Sequence, residues 1–247
     1  MKQIDYSEEL LNSIIPARLI EQKMGDDVAD FFLVWGLFYN DLKSLFSHYL
    51  RITEEEKKKN VEKISSDAGE YNGMRVQLVR LITATLYEFL EFLEKNKKIL
   101  TMGEFQIIHR TLNRDLSSKW NTIVDIALRK QVKKITDFSK ILELIRHNLA
   151  FHYSQSGKNL RKGFIEYFFI DPKHDANAKA YYSIGGTMHN TRFFYCDAAV
   201  ERSMVDQVIK KMAYKEFISR LLEIVEYTNF TIMALMKEYL RNRPYRG

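Results

Sequence analysis

One short stretch of the chain, from Arg146 to His152, combines side chains that can do chemistry. The guanidinium of Arg146 offers a forked pair of donors that fits a phosphate. The imidazole of His152 titrates near neutral pH, so it can act as general base or acid. His147 and Asn148 lie between them and can orient a bound phosphate or ribose. This set favours cleavage of an RNA phosphodiester by its own 2′-hydroxyl, with Arg146 stabilising the charged phosphorane.

The stretch is predicted to end an amphipathic helix, because apolar residues precede it at spacings of three and four. These residues are Phe138, Ile141, Leu142, Ile145 and Leu149. His152 continues their stripe, and Asn148, four residues earlier, shares its face. Arg146 lies about 120° round the helix from His152, at about 100° per residue. A loosening of the helix near Ala150 would let the long arginine side chain reach the same crevice.

Each of these residues also has a structural explanation, which the sequence leaves open. His152 can be a core histidine bonded to a carbonyl or a carboxylate. Arg146 can be a surface residue paired with Glu143 or with an acid elsewhere. His147 follows Glu143 by four residues, which is an ordinary ion-pair spacing on a helix. Asn148 is explained by structure more readily than by catalysis.

Residues just beyond the stretch can hold RNA. Tyr153 offers an aromatic face on which a base can stack. The basic pair Arg161 and Lys162 follows and can guide the phosphate backbone. Solubility is the competing explanation for an exposed basic pair. The formal net charge of +6 favours anionic partners, but only modestly.

The segment from Arg146 to His152 resembles the R-x(4–6)-H signature of HEPN domains. Five residues separate Arg146 from His152, and the polar residue His147 follows the arginine, as in the family. Family members are α-helical bundles that commonly dimerise and bring two such motifs together in a cleft. The resemblance covers about residues 70–155, with a last helix at 212–240 completing the bundle.

This resemblance implies a function and a set of partners. Many family members are metal-independent ribonucleases of toxin–antitoxin or other defence systems. By this resemblance the chain is a homodimeric endoribonuclease that uses Arg146 and His152 on RNA without a metal or other cofactor. An antitoxin or another protein would be its partner. Other members are inactive and bind nucleotides or proteins, which is the alternative function, and in a third interpretation the two residues only hold a dimer together.

The composition favours long helices and one domain spanning residues 1–247. The chain has only 10 Gly and 3 Pro among 247 residues, too few for the many turns of an all-β protein. An aromatic stripe from Val28 to Tyr49 predicts the first long helix, and similar patterns predict helices at 71–93 and 212–240. The fold class predicted is therefore all-α, an antiparallel helical bundle.

Helix starts are predicted from capping residues. Thr53 with Glu56, and Thr101 with Glu104, have the spacing of a capping box. Asp137 precedes the apolar stripe that leads to Arg146, so it is the predicted cap of that helix.

The pattern changes before the last helix. Residues 164–170, 181–184 and 191–195 are rich in aromatic and β-branched side chains, which is typical of short strands. Gly185 and Gly186 supply the turn residues of a hairpin. We therefore predict a small β-hairpin insertion, a β excursion at about residues 160–197.

No competing site is recognisable in the sequence. It contains no HExxH, no Walker A loop and no GxGxxG. Cys196 is the single cysteine, which excludes an internal disulfide and any metal site built from several cysteines. The first residues lack an apolar secretion core, and the longest apolar run, residues 31–39, is short of the roughly 20 residues of a spanning helix. We therefore expect a cytoplasmic protein without a membrane segment or a metal.

Overall fold

The computed structural model is helical almost throughout the residues that it describes. Those residues are 16, 26–59, 61–62, 65–129, 133–150, 153–170, 179–187 and 191–242. Within them the α-helices are α1 (Asp27–Lys59), α2 (Ser66–Lys95), α3 (Gly103–His109), α4 (Arg114–Ala127), α5 (Lys133–Ile145), α6 (Tyr153–Ile165), α7 (Phe194–Ile209) and α8 (Tyr214–Asn242). A 3₁₀ turn at Ile99–Thr101 precedes α3, and π-helical turns follow α5 at Arg146–Ala150 and α6 at Glu166–Ile170. The prediction of an all-α protein is confirmed.

The aromatic stripe of α1 forms the centre of the core, as its spacing predicts. Trp35 is fully buried, and Phe38 stacks on Phe89 of α2 with ring centroids 4.1 Å apart. Phe32 stacks in the same way on Tyr239 of α8, also at 4.1 Å. Such ring pairs add to the free energy gained by burying the rings. Helices α2 and α8 therefore flank α1 and enclose its aromatic face.

The apolar stripe that leads to Arg146 is also buried as predicted. All five of its residues lie in the core: Phe138, Ile141, Leu142, Ile145 and Leu149. The ring of Phe138 lies 6.0 Å from that of Phe217 in α8. This burial fixes α5 against the bundle and leaves the residues between its apolar positions half-buried or exposed.

The three predicted capping residues do not begin helices. α1 runs through Thr53, whose hydroxyl donates to the Tyr49 carbonyl one turn earlier at 2.8 Å. The hydroxyl of Thr101 donates to the Lys98 carbonyl within a 3₁₀ turn, so α3 begins two residues later. Asp137 lies inside α5. An N-cap residue lies just before a helix and has non-helical backbone angles. Thr53 and Asp137 lie inside helices and Thr101 inside a 3₁₀ turn, so none of them has that geometry.

Two helices begin at side-chain caps that the sequence analysis missed. The hydroxyl of Ser65 accepts the backbone N–H of Ala68 at 3.1 Å, at the start of α2. The side chain of Asn113 accepts the N–H of Leu116 at 2.9 Å, at the start of α4. Each such cap contributes about 1 kcal/mol to stability.

The predicted β-hairpin is not supported. Residues 164–170, expected as a strand, complete α6 and its π-helical turn, and residues 194–195 begin α7. The described part of the excursion contains one isolated antiparallel bridge, Ser183 with Arg192, closed by two backbone hydrogen bonds of 2.8 and 2.9 Å. The helix is favoured because it brings Phe164 and Phe168, four residues apart, into ring contact at 4.6 Å.

Close contacts at glycines hold α6 and α7 to the bundle. A Cβ on Gly163 of α6 would overlap the backbone carbonyl of Ala199 in α7. A Cβ on Gly69 of α2 would meet the ring of Phe194 at 2.5 Å, and one on Gly73 would overlap the guanidinium of Arg192. A mid-helix glycine costs about 1 kcal/mol relative to alanine. These glycines are explained by the backbone and ring contacts that they admit.

Across the described ranges, no helix has an apolar stretch of the length and hydropathy that would carry it through a bilayer.

Candidate active site

The π-helical turn Arg146–Ala150 carries part of the predicted site. It follows α5 directly, and its last two residues, Leu149 and Ala150, are buried against the bundle. Arg146 is half-buried and His147 is exposed. A π turn inserts an extra residue into the helix and is frequent at functional sites. The helix is thus irregular over the residues that lead to Ala150.

Arg146 and His147 lie side by side at the surface of the turn. Nη1 of Arg146 is 3.3 Å from Nδ1 of His147. Nε of Arg146 donates to Oε1 of Glu88 in α2 at 2.6 Å. The imidazole of His147 meets the ring of Tyr87 edge-on, with centroids 5.8 Å apart. Two neighbouring residues of α2 thus orient the arginine and the histidine.

A third residue of α2 holds the backbone of the turn. Nη1 of Arg80 donates to the carbonyl oxygen of Leu149 at 3.1 Å. In a π turn the i→i−4 pattern of backbone hydrogen bonds is interrupted, so a carbonyl there needs another donor. A hydrogen bond from a charged donor contributes about 1.5–3 kcal/mol. Arg80 is therefore a positioning residue for the turn.

The sequence analysis missed Arg80, Tyr87 and Glu88. All three lie on a face of α2 that the predicted helix at 71–93 already contained. Their only signal is their spacing of seven and eight residues, which places them on one side of the helix. That spacing does not tell which other helix the side faces.

Carboxylates surround the same part of α2. Partial burial, together with the negative charges of Glu91 and Glu143, raises the pKa of Tyr87 to about 12. Its hydroxyl therefore stays protonated at physiological pH. Glu91 accepts a hydrogen bond from Arg129, which marks the end of α4. The negative charge beside the turn is therefore partly neutralised by Arg129 and Arg146.

The remaining predicted site residues are distributed unevenly. Asn148 is half-buried within the turn. Arg161 and Lys162 are exposed on α6, beyond the turn. His152 and the side chain of Tyr153 lie outside the described residues. The structure thus brings Arg146, His147 and Asn148 into one turn and leaves the basic pair one helix further on.

Two further findings concern metal binding and the similarity of the chain to known proteins. In the part of the chain that the structure describes, no three His, Cys, Asp or Glu side chains form a cluster that could hold a metal ion. Comparison of the chain with protein-family models, curated proteins and solved structures finds no match.

Proposed function

We propose that the protein is a metal-independent endoribonuclease of HEPN type, acting on RNA through attack by the 2′-hydroxyl. The observation that carries the proposal is the π-helical turn, which sets the guanidinium of Arg146 3.3 Å from the imidazole of His147 at the surface. A permanent cation beside a titratable ring suits a phosphate that gains negative charge during the reaction.

In this mechanism His152 transfers the protons, and the other groups bind and orient the substrate. His152 takes the proton of the ribose 2′-hydroxyl, and the 2′-oxygen attacks the adjacent phosphorus. Arg146 donates to the phosphate oxygens as the phosphorane forms. The bond to the 5′-oxygen breaks, and His152 returns the proton to that oxygen as general acid. His147 and Asn148 orient the phosphate or the ribose. The products are a 2′,3′-cyclic phosphate and a 5′-hydroxyl, so protons and bonds balance without an oxidant or a metal.

The same proposal extends to the state and setting of the protein. A homodimer with the Arg146 turn at its cleft would supply two such sites, as in the family that the motif resembles. A toxin or defence role in the cytoplasm, held in check by an antitoxin or another protein, follows from that resemblance.

A specific observation favours the second candidate, a non-catalytic nucleotide-binding or protein-interaction module of the same fold. Glu88 already binds Nε of Arg146 at 2.6 Å, so a phosphate must share the guanidinium with a carboxylate. An arginine neutralised in this way binds anions less strongly than one without a counter-charge. In this role Arg146 and Glu88 would be parts of a docking surface.

The experiment that separates the two candidates measures RNA cleavage in EDTA and identifies the ends of the products. The proposal predicts cleavage with 2′,3′-cyclic phosphate ends and no cleavage of a strand of the same sequence built from DNA. If RNAs of every sequence tried remain uncleaved, the interaction module is favoured.

The role of His152 is tested in the same assay. His152→Ala should lower the rate by about 10²- to 10⁴-fold while the variant stays folded. A core histidine would instead lose stability on substitution, through a cavity or an unpaired partner. Undiminished cleavage by the folded variant would remove His152 from the mechanism.

A further inference from the structure

A second site lies at the other end of α2. A cavity of about 740 Å³ opens where the start of α2, the end of α6 and the start of α7 meet. We call it the aromatic groove, and its rings are Tyr167, Phe168, Tyr181, Tyr182, Phe194 and Tyr195. Its volume is within the roughly 300–1,000 Å³ of ligand sites. Gly69 in its wall is about 28 Å along α2 from Glu88, so the groove is separate from the Arg146 turn.

The rings of this groove are held in place but not covered. Phe168 contacts Tyr167 at 4.8 Å and Phe164 at 4.6 Å, which fixes the wall contributed by α6 and its π turn. Tyr181 and Tyr182 are 53% and 62% exposed. Single exposed aromatic residues are ordinary, whereas a continuous group of them around a cavity indicates a binding surface.

Positive charge connects the groove to the Arg146 turn. α6 has 13 residues, so it covers about 20 Å from that turn to the groove. Its sequence contains no acid, and Lys158, Arg161 and Lys162 share its exposed side at spacings of three and four. Lys179 lies in the wall of the groove itself. A phosphate backbone lying along α6 would meet these cations in succession.

The acids at the groove already have a counter-charge. Arg192 donates to Asp197 at 2.8 Å and to Glu70 at 2.7 Å. These two ion pairs outweigh the effect of partial burial and raise the pKa of Arg192. Asp197 and Glu70 are therefore paired with a cation near the start of α7. They repel an anionic ligand less strongly than two unpaired carboxylates would.

We propose that the aromatic groove stacks the bases of a single-stranded RNA whose backbone follows α6 away from the Arg146 turn. This proposal rests on the proposed function, because the strand that occupies the groove is the one that is cleaved. Stacking on exposed rings together with a basic track is the chemistry by which proteins hold single strands with little sequence preference. The groove would therefore set the affinity for RNA and the path of the strand along α6.

Binding is measured by fluorescence anisotropy with a labelled 2′-O-methyl RNA of about 12 nucleotides, which lacks the nucleophile and stays intact. The double variant Tyr181→Ala/Tyr182→Ala should raise Kd by roughly 5- to 150-fold for each base that loses its stacking partner. Phe230→Ala, which removes an exposed ring of α8, should leave Kd unchanged. An abasic strand of equal length should bind the wild type and the double variant equally, because it has no base to stack.

The basic track has its own variant and control. Arg161→Gln/Lys162→Gln should weaken binding and flatten the plot of log Kd against log salt by about 1.4, for two lost phosphate contacts. Lys97→Gln/Lys98→Gln removes the same charge from exposed residues just beyond the far end of α2, and it should neither weaken binding nor change the salt dependence.

The outcomes distinguish the groove from the catalytic proposal. RNA cleavage by the wild type, with unchanged Kd in the tyrosine double variant, would overturn the groove and leave the function standing. Binding that depends on the two tyrosines, without cleavage of any RNA, would support the groove and remove the catalysis. A wild type that binds the abasic strand as tightly as the RNA, or binds neither, would overturn base stacking.

Discussion

Aromatic side chains have two different roles in this molecule. In the core, Phe31, Phe32 and Trp35 of α1 are at most 1% exposed. At the aromatic groove, Tyr181 and Tyr182 each leave more than half of their surface in solvent. A buried ring contributes its transfer free energy to folding, whereas an exposed ring keeps that free energy available for a ligand. Residue type alone therefore does not separate a stabilising cluster from a binding surface.

The difference follows from the backbone that carries the rings. The core rings come from long helices packed on several sides. Tyr181 and Tyr182 come from a segment without helical hydrogen bonds. It is held by the Ser183–Arg192 bridge, by a bond from the N–H of Tyr195 to the carbonyl of Tyr181, and by a bond from the N–H of Gly185 to the Thr191 hydroxyl. Segments with few backbone hydrogen bonds and little burial open with a small free energy. The groove can therefore adapt to a ligand, and the core cannot.

The largest expected effect comes from breaking the core. Phe89→Ala should lower the free energy of unfolding by about 3–5 kcal/mol, because it removes the buried ring that stacks on Phe38. Tyr182→Ala should change it by no more than about 0.5 kcal/mol, as expected for an exposed site. Urea denaturation of the two variants measures both values. Equal losses would mean that the groove is part of the core.

The same substitution at two positions of α6 should have opposite effects. Gly163→Ala should destabilise by about 1–3 kcal/mol, because the new Cβ meets the Ala199 carbonyl and the backbones must separate. Gly157→Ala on the same helix meets no atom within 4 Å and should stabilise by up to about 1 kcal/mol. Thermal melts of both variants make the comparison. A stable Gly163→Ala protein would show that α6 does not pack closely on α7.

A smaller effect concerns the pH dependence of the core. Burial lowers the pKa of His109, and its Nε2 has no hydrogen-bond partner among the described residues. The unfolded chain then binds the proton first, so stability is full above the usual histidine pKa of about 6.5 and falls as pH drops below it. His109→Phe should reduce the loss of Tm between pH 7 and 5. If the loss of Tm between pH 7 and 5 is unchanged in the variant, other residues cause the acid sensitivity.

The long helices were predictable from the sequence because burial follows helical spacing. Most residues of the stripes of α1 and α2, and all five from Phe138 to Leu149, are buried in the core or packed against it, as their periodicity predicts. The run at 164–170 was not predictable in this way, because its aromatic and β-branched residues suit a strand and a buried helix equally. The helical state brings Phe164 into contact with Phe168 one turn later and with Tyr195 of α7, a helix that the sequence analysis did not identify.

The candidate site was predictable only in part, for a similar reason. The sequence places Arg146, His147 and Asn148 next to one another, and the structure keeps them in one turn. The partners that orient them, Arg80 and Glu88, lie far away in the chain. Their contribution depends on how α2 packs against α5 and the turn. A single sequence contains no direct signal of that packing.

The most direct test of the central claim is the cleavage rate of Arg146→Ala in EDTA, beside its stability. Glu88 is exposed and Arg146 half-buried, so solvent still screens their ion pair and its loss should cost about 1 kcal/mol of folding free energy. Arg220→Ala is the matched control, because Arg220 binds Glu223 at the same 2.6 Å on the surface of α8. We expect Arg146→Ala to lower the single-turnover rate by about 10²- to 10³-fold and Arg220→Ala to leave it unchanged. A folded Arg146→Ala protein that cleaves RNA at the wild-type rate would contradict the account.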